Sequence, residues 1–320
     1  LDLCRGEPDK GRYYSTTKIG EIESGPEWGI IDSDTMRRAT GTRAATAGLA
    51  LVLLAVRAVP AQEGPARNGA VKEFLEDAGR IWTAPFSLKE KDVAPLVVLT
   101  AATAFLIAGD ENIREGVKGF ADDRPWVGDA ASAVTTMGGP GAWAAAGAFY
   151  GAGLLFKDER ARETGILAAS AMLQTFLVGN AVKGLTGRQR PFYADGEDHW
   201  AGPVGLVKRY DPDTQGKYVS FPSGHTSTAF ALATVIALQY RDEPWVPVLA
   251  YTVVGSVGLS RMALDRHWAS DVLVGAVLGH AIARLVVRGH ERRRRLVAAL
   301  ACSPRGVALG LSWDPGPFDR

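Results

Sequence analysis

The stretch Thr164–Val182, TGILAASAMLQTFLVGNAV, is an apolar run of helical length that closes on Lys183 and continues as GLTGRQRP to Pro191. It has little β-branched alternation, so it reads as a helix. Lys183 then stands at a helix end, where its ammonium reaches a polar pocket. Pro191 keeps Arg190 out of helical backbone angles and sets it in an extended segment. Working outward, five more runs share this character: Val93–Gly109, Gly138–Phe156, Thr226–Tyr240, Trp245–Ser260 and Val272–Val287. No internal repeat is evident. The fold class is all-α, a helical bundle of about six core helices, with membrane crossing left open.

Polar signatures sit at the ends of these runs. Pro222-Ser223-Gly224-His225 precedes the Thr226 run. Proline and glycine mark a tight turn, and serine suits a helix N-cap. The first amides of that helix form an anion site, Gly224 lets backbone approach the ligand, and His225 stands beside the anion. His267 and Asp271 are four residues apart. On a helix they share a face, and the carboxylate accepts a hydrogen bond from one ring nitrogen, leaving the other unprotonated. Ser260-Arg261 precedes His267 by a short loop that returns Arg261 over the same pocket.

Alone, each signature has a bland explanation: a basic helix end, a helix-start turn with a surface histidine, an exposed i, i+4 pair. Together they supply three cations (Lys183, Arg190, Arg261), two imidazoles and a carboxylate. Phosphoryl transfer needs such a set, because negative charge spreads over three oxygens in its transition state. The sequence has no closely spaced Cys/His set, no HExxH and no Asp-rich loop, so no metal or other cofactor is expected.

The combined pattern, K-x6-RP, PSGH and SR-x5-H-x3-D, resembles the type 2 phosphatidic acid phosphatase and vanadium haloperoxidase superfamily from about Thr164 to Val287. Phe221, Thr226, Asp265 and Trp268 add to the match. The resemblance implies that His267 is the nucleophile of a phosphohistidine mechanism, that Asp271 orients it and that His225 is the general acid. It implies that Lys183, Arg190, Arg261, Ser223 and the Gly224 amide hold the phosphoryl oxygens. The implied activity is metal-independent hydrolysis of a phosphate monoester or pyrophosphate, of a lipid in the first instance. The alternatives are a soluble exported acid phosphatase, a vanadate-dependent haloperoxidase and a non-catalytic membrane protein with a phosphate pocket. The expected partner is a phosphorylated lipid or small phosphate ester, with no obligate protein partner.

The chain has 320 residues, 47% of them hydrophobic, and formal net charge +1. This argues against bulk nucleic-acid binding. Cys4 and Cys302 make no disulfide framework. Residues 1–35 read as an upstream extension before Met36, and 36–61 as a signal peptide or anchor, from Arg37-Arg38, the run Ala44–Val56 and Val59-Pro60-Ala61. Residues 62–91 read as linker and amphipathic helix, 92–290 as the helical domain and 291–320 as a basic tail with a short strand at Val307–Trp313. Trp126–Gly141 reads as a loop around its Gly-Gly-Pro-Gly break, and Asp195–Lys217 as an insertion over the pocket. His199 reads as a surface residue and His280 as a packed one.

The basic run Arg292–Arg295 places the tail in the cytoplasm and the motifs on the periplasmic side. A cleaved signal followed by six crossings contradicts that placement. The expectation is therefore a bacterial envelope protein, either of the inner membrane with a periplasmic site or soluble in the periplasm.

Overall fold

The computed structural model describes residues 66–194, 200–208, 211, 214 and 216–301. The extension and signal segments, Cys4, Cys302, His199 and the strand at 307–313 lie outside these residues. The described chain is helical: α1 (Ala66–Thr83), α2 (Glu90–Asp122), α3 (Pro125–Thr135), α4 (Pro140–Phe156), α5 (Glu159–Thr186), α6 (Val204–Lys208), α7 (Gly224–Gln239), α8 (Trp245–Ala263) and α9 (Ala269–Ala301). All six apolar runs are helices, so the bundle is as expected.

The loop expected at 126–141 is not a loop. Residues Pro125–Thr135 are α3, and Thr136–Gly138 continue it as a 3-10 turn. Pro125 and Pro140 each occupy the first turn of a helix, where a missing N–H costs nothing. The glycine-proline cluster therefore marks a junction between two helices.

Caps set the other boundaries. The Asp158 carboxylate accepts the Ala161 N–H at 3.1 Å and starts α5. Gly187, at φ 54°, ends it. A Cβ there would lie 2.5 Å from the Gly202 carbonyl oxygen, so Gly187 is needed for space as well as for its backbone angle. The chain after α5 thus turns back tightly toward the bundle.

α7 is central. Ala231, Leu232 and Val235 pack with Leu167, Ala168, Ala171 and Met172 of α5 and with Ile282, Ala283 and Val286 of α9. Ala229 and Ala233 pack on Val254 and Val257 of α8. Both faces of α7 are buried, which is why its sequence is apolar all round. α9 approaches it through Gly275 and Gly279. A Cβ on Gly275 would lie 2.7 Å from the Ser223 carbonyl oxygen, and one on Gly279 would collide with the Ser227 carbonyl oxygen. This small-xxx-small spacing brings two backbones together, as helices in lipid commonly do.

Four of the described helices, α2, α5, α8 and α9, are long and apolar enough to cross a membrane. Val93, Leu96, Val97, Val98 and Phe105 of α2 are exposed, as are Val248, Leu249 and Leu259 of α8. Such faces suit hydrocarbon, and the protein is membrane-embedded. The amphipathic helix expected before residue 91 is α1. It pairs Asp77 with Arg293 of α9 at 2.9 Å, and its Phe74 carbonyl accepts Gln174 Nε2 of α5 at 3.0 Å.

Gly279→Ala is expected to force α7 and α9 apart and to cost about 1–3 kcal/mol. A lower thermal unfolding midpoint in detergent checks it. Gly147→Ala on α4, where a Cβ meets nothing within 4 Å, is the control and should not lower the midpoint.

Candidate active site

α5 ends, α7 begins, α8 ends and α9 begins at one end of the bundle, so the three motifs meet there. The segment after Gly187 is the spine of the site. Arg188 C=O accepts the Ser220 N–H at 3.0 Å, and Arg190 N–H donates to Lys217 C=O at 2.9 Å. Gln189 C=O accepts the Trp268 indole N–H at 2.9 Å. Phe192 N–H donates to Asp265 C=O at 3.1 Å, and Ser223 N–H donates to Asp271 C=O at 3.0 Å. Every motif is therefore tied to another by backbone hydrogen bonds. Arg190 has the extended backbone that Pro191 demands, at φ −75° and ψ 147°.

The cations are held in different ways. Lys183 Nζ donates to the carbonyls of Val219 at 2.7 Å, Ser220 at 3.2 Å and Pro222. Its ammonium thus pins the loop that leads into α7 and offers an anion charge at short range. Arg261 Nη1 donates to Thr135 Oγ1 of α3 at 2.7 Å, and its Nε is buried without a hydrogen-bond partner. The Arg261 carbonyl accepts the amides of Arg266 at 3.0 Å and His267 at 3.3 Å.

Ser223 occupies the N-cap position of α7 but makes no side-chain cap. Its hydroxyl meets Thr226 Oγ1 at 2.9 Å instead. The first amides of α7, those of Gly224 and His225 among them, have no intrahelical acceptor by position. His225 packs against the α3–α4 junction: a Cβ on Gly139 would come within 3.0 Å of His225 Nε2. Burial, then the charges of Arg261, Arg190 and Lys183, push the His225 imidazole down to about 3. Burial and the same cations, with His225, hold His267 well below the ordinary imidazole range. The backbone bonds from Ser223 to Asp271 and from His267 to Arg261 bring the segments that carry these groups to one end of the bundle.

His267 and Asp271 do not share a helical face, because α9 begins at Ala269, after His267. Asp271 lies in the first turn and its Oδ2 accepts the Trp268 N–H at 3.0 Å, as in half of a capping box. The same oxygen accepts the Ser220 hydroxyl at 2.5 Å and lies 3.5 Å from His267 Nδ1. His267 Nδ1 is buried and makes no hydrogen bond. Asp271 therefore faces the ring but is held chiefly by other groups.

The strongest of those groups is Arg188, which belongs to none of the three motifs. Arg188 is fully buried. Its Nη1 donates to Asp271 Oδ1 at 2.8 Å, and its Nη2 donates to Asp110 Oδ2 of α2 at 2.7 Å. Arg114 of α2 grips Asp265 at 2.7 and 2.9 Å. Asp265 has φ 53°, a left-handed conformation unusual for a residue with a side chain. The available signal was charge: Asp110, Glu111 and Arg114 follow directly on the apolar run of α2. Thr135 and Gly139 were also missed, inside the supposed loop. His280 is packed as expected, with Nδ1 at 3.1 Å from Thr234 Oγ1 and 3.0 Å from the Tyr251 hydroxyl.

The family model described as the PAP2 superfamily matches residues 164–295. A lipid A 1-phosphatase of Porphyromonas gingivalis is 52% identical over 67 residues, 21% of this chain and 15% of that protein. A decaprenylphosphoryl-5-phosphoribose phosphatase of Mycobacterium tuberculosis is 31% identical over 138 residues, 42% of this chain and 68% of that protein. A transmembrane PAP2-type phosphatidylglycerolphosphate phosphatase from Bacillus subtilis has a similar structure, with TM-score 0.47 and 22% identity over 64% of this chain and 98% of that one. The chain thus spans only about a seventh of the length of the first of these relatives.

With no anion bound, His225 is neutral near neutral pH. A bound dianion offsets the neighbouring cations and raises the imidazole pKa, so binding takes up a proton and tightens as pH falls. Sulfate, a dianion across this range, is the probe. Calorimetry between about pH 5 and 7, in buffers of different ionisation enthalpy, should show proton uptake that falls in His225→Gln. Binding without proton exchange contradicts the site electrostatics.

Proposed function

This chain belongs to the PAP2 superfamily, and we propose that it hydrolyses the phosphate monoester or pyrophosphate of a membrane lipid through a phosphohistidine, without a metal. The observation that carries the proposal is the joining of the three motifs at one end of the bundle: Lys183 donates to the carbonyls just before α7, the Ser223 N–H donates to the Asp271 C=O and the His267 N–H to the Arg261 C=O, and Asp271 faces His267 Nδ1 at 3.5 Å. Neutral His267, with its Nδ1 proton toward Asp271, presents Nε2 to phosphorus. The N–P bond forms as the P–O bond to the leaving group breaks, and His225 gives its proton to the departing oxygen. Water then attacks phosphorus, the N–P bond breaks and His225 takes the water proton. Charge on the equatorial oxygens is met by Arg190, Arg261, the Lys183 charge and the first amides of α7.

The exposed apolar helices support a lipid substrate, because its chain remains in the bilayer while the phosphate enters the polar end of the bundle. Arg292–Arg295 lie at the end of α9 remote from the motifs. By the positive-inside tendency, we place the motif end outside the cytoplasm of a bacterial inner membrane.

Phosphate release from detergent-solubilised phosphatidic acid and a polyprenyl diphosphate, with chelator present, tests the mechanism. His267→Ala is expected to lower kcat/KM by roughly a thousandfold or more. His225→Ala should cost about 10²–10⁴-fold on these substrates and far less on p-nitrophenyl phosphate, whose leaving group needs no proton. Activity surviving His267→Ala sinks the nucleophile assignment, and activity lost to chelator sinks metal independence.

A further inference from the structure

We propose that Asp110 of α2 is a positioning residue for His267, acting through Arg188 and Asp271. This rests on His267 being the nucleophile. Asp110 lies outside the matched span of 164–295 and outside all three motifs.

The connection is continuous. Asp110 Oδ2 accepts Arg188 Nη2 at 2.7 Å and the Ser270 hydroxyl at 2.5 Å. Asp110 Oδ1 accepts the Ser270 N–H at 3.0 Å. Arg188 Nη1 donates to Ser270 Oγ at 2.6 Å and to Asp271 Oδ1 at 2.8 Å. Asp271 Oδ2 then faces His267 Nδ1 at 3.5 Å. Asp110, Arg188, Ser270 and Asp271 are each no more than 2% exposed, so water screens none of these charges effectively.

The charge arrangement gives Asp110 its part. A guanidinium paired only with Asp271 would neutralise it and weaken its pull on the imidazole. Asp110 shares that guanidinium, so the two carboxylates and one cation together retain a net negative charge facing His267. When Nε2 bonds to phosphorus, the ring becomes positive while keeping its Nδ1 proton. The retained negative charge stabilises that state. The other groups acting on His267 are Arg190, Lys183, Arg261 and His225, all cationic or titratable to cations. Asp271, backed by Asp110, is the negative counterweight.

Asp110→Asn keeps the shape and removes the charge. With detergent-solubilised phosphatidic acid it is expected to lower kcat on the order of 10- to 100-fold, with KM changed by no more than about twofold. The acid limb of the kcat/KM profile should move to lower pH, because His267 loses negative charge nearby. Asp110→Asn with Arg188→Gln makes the pair neutral, returns full charge to Asp271, and should recover most of kcat and the wild-type limb. Ser270→Ala changes no charge and should lower thermal stability without moving the limb.

An unmoved limb in Asp110→Asn, or a double variant no better than Asp110→Asn, overturns the proposal. Where Asp110→Asn does not fold, the double variant decides: a displaced limb or a kcat loss above about tenfold rejects it. Wild-type turnover that is absent, or that survives His267→Ala, removes the parent reading instead.

Discussion

A guanidinium with no access to water holds the motif end of this bundle together. Burying Arg188 alone would cost several kcal/mol, and burying Asp110 and Asp271 adds to that. The cost is offset only when the geometry is complete, and here it is. Two carboxylates and a serine hydroxyl accept from the guanidinium, and the rings of Trp200 and Trp268 cover it at 4.7 and 5.2 Å. Removing one partner leaves an unmatched buried charge, so α2, the first-motif segment and the start of α9 stand or fall together. The same segment carries the backbone bonds to Ser220 and Trp268, which extends this dependence to the loop before α7.

The cations divide between building the site and filling it. Lys183 spends its donors on the carbonyls before α7, and Arg188 spends its own on carboxylates. Arg261 is steered by Thr135 from a helix that precedes every motif. A charged residue within a motif can thus act by shaping the backbone of the loop beside it. Electrostatics couples the two tasks, since Lys183, Arg190 and Arg261 each lower the proton affinity of both imidazoles.

Six of the helices were readable because each holds a long apolar run bounded by proline, glycine or charge. The motif residues stood out because charged and imidazole side chains cluster at the ends of apolar runs, and the structure brings those ends together. Three features escaped for physical reasons. Asp110 is separated from Arg188 by 78 positions and from Ser270 by 160, so no local pattern announces either contact. Trp126–Gly141 reads as a loop because glycines and Pro140 punctuate it, yet Pro140, like Pro125 just before the stretch, falls where a helix tolerates it. The His267–Asp271 spacing suggested one helical face, but Asp271 caps α9 and leaves His267 in the preceding loop. There the two side chains do face each other at 3.5 Å, but across the start of a helix and not along one face of it.

The distance between the two imidazoles is set by helix packing. His225 opens α7 and His267 immediately precedes α9, and these helices touch backbone to backbone at Gly275 and Gly279. The Ser223 amide bonded to the Asp271 carbonyl fixes the register at the site end. In lipid there is little hydrophobic drive to press helices together, so close contact and polar bonds must do it. Both are present, and both act at the point where His225 and His267 converge. Any side chain that widened the α7–α9 contact would separate His225 from His267 before it disturbed either residue directly.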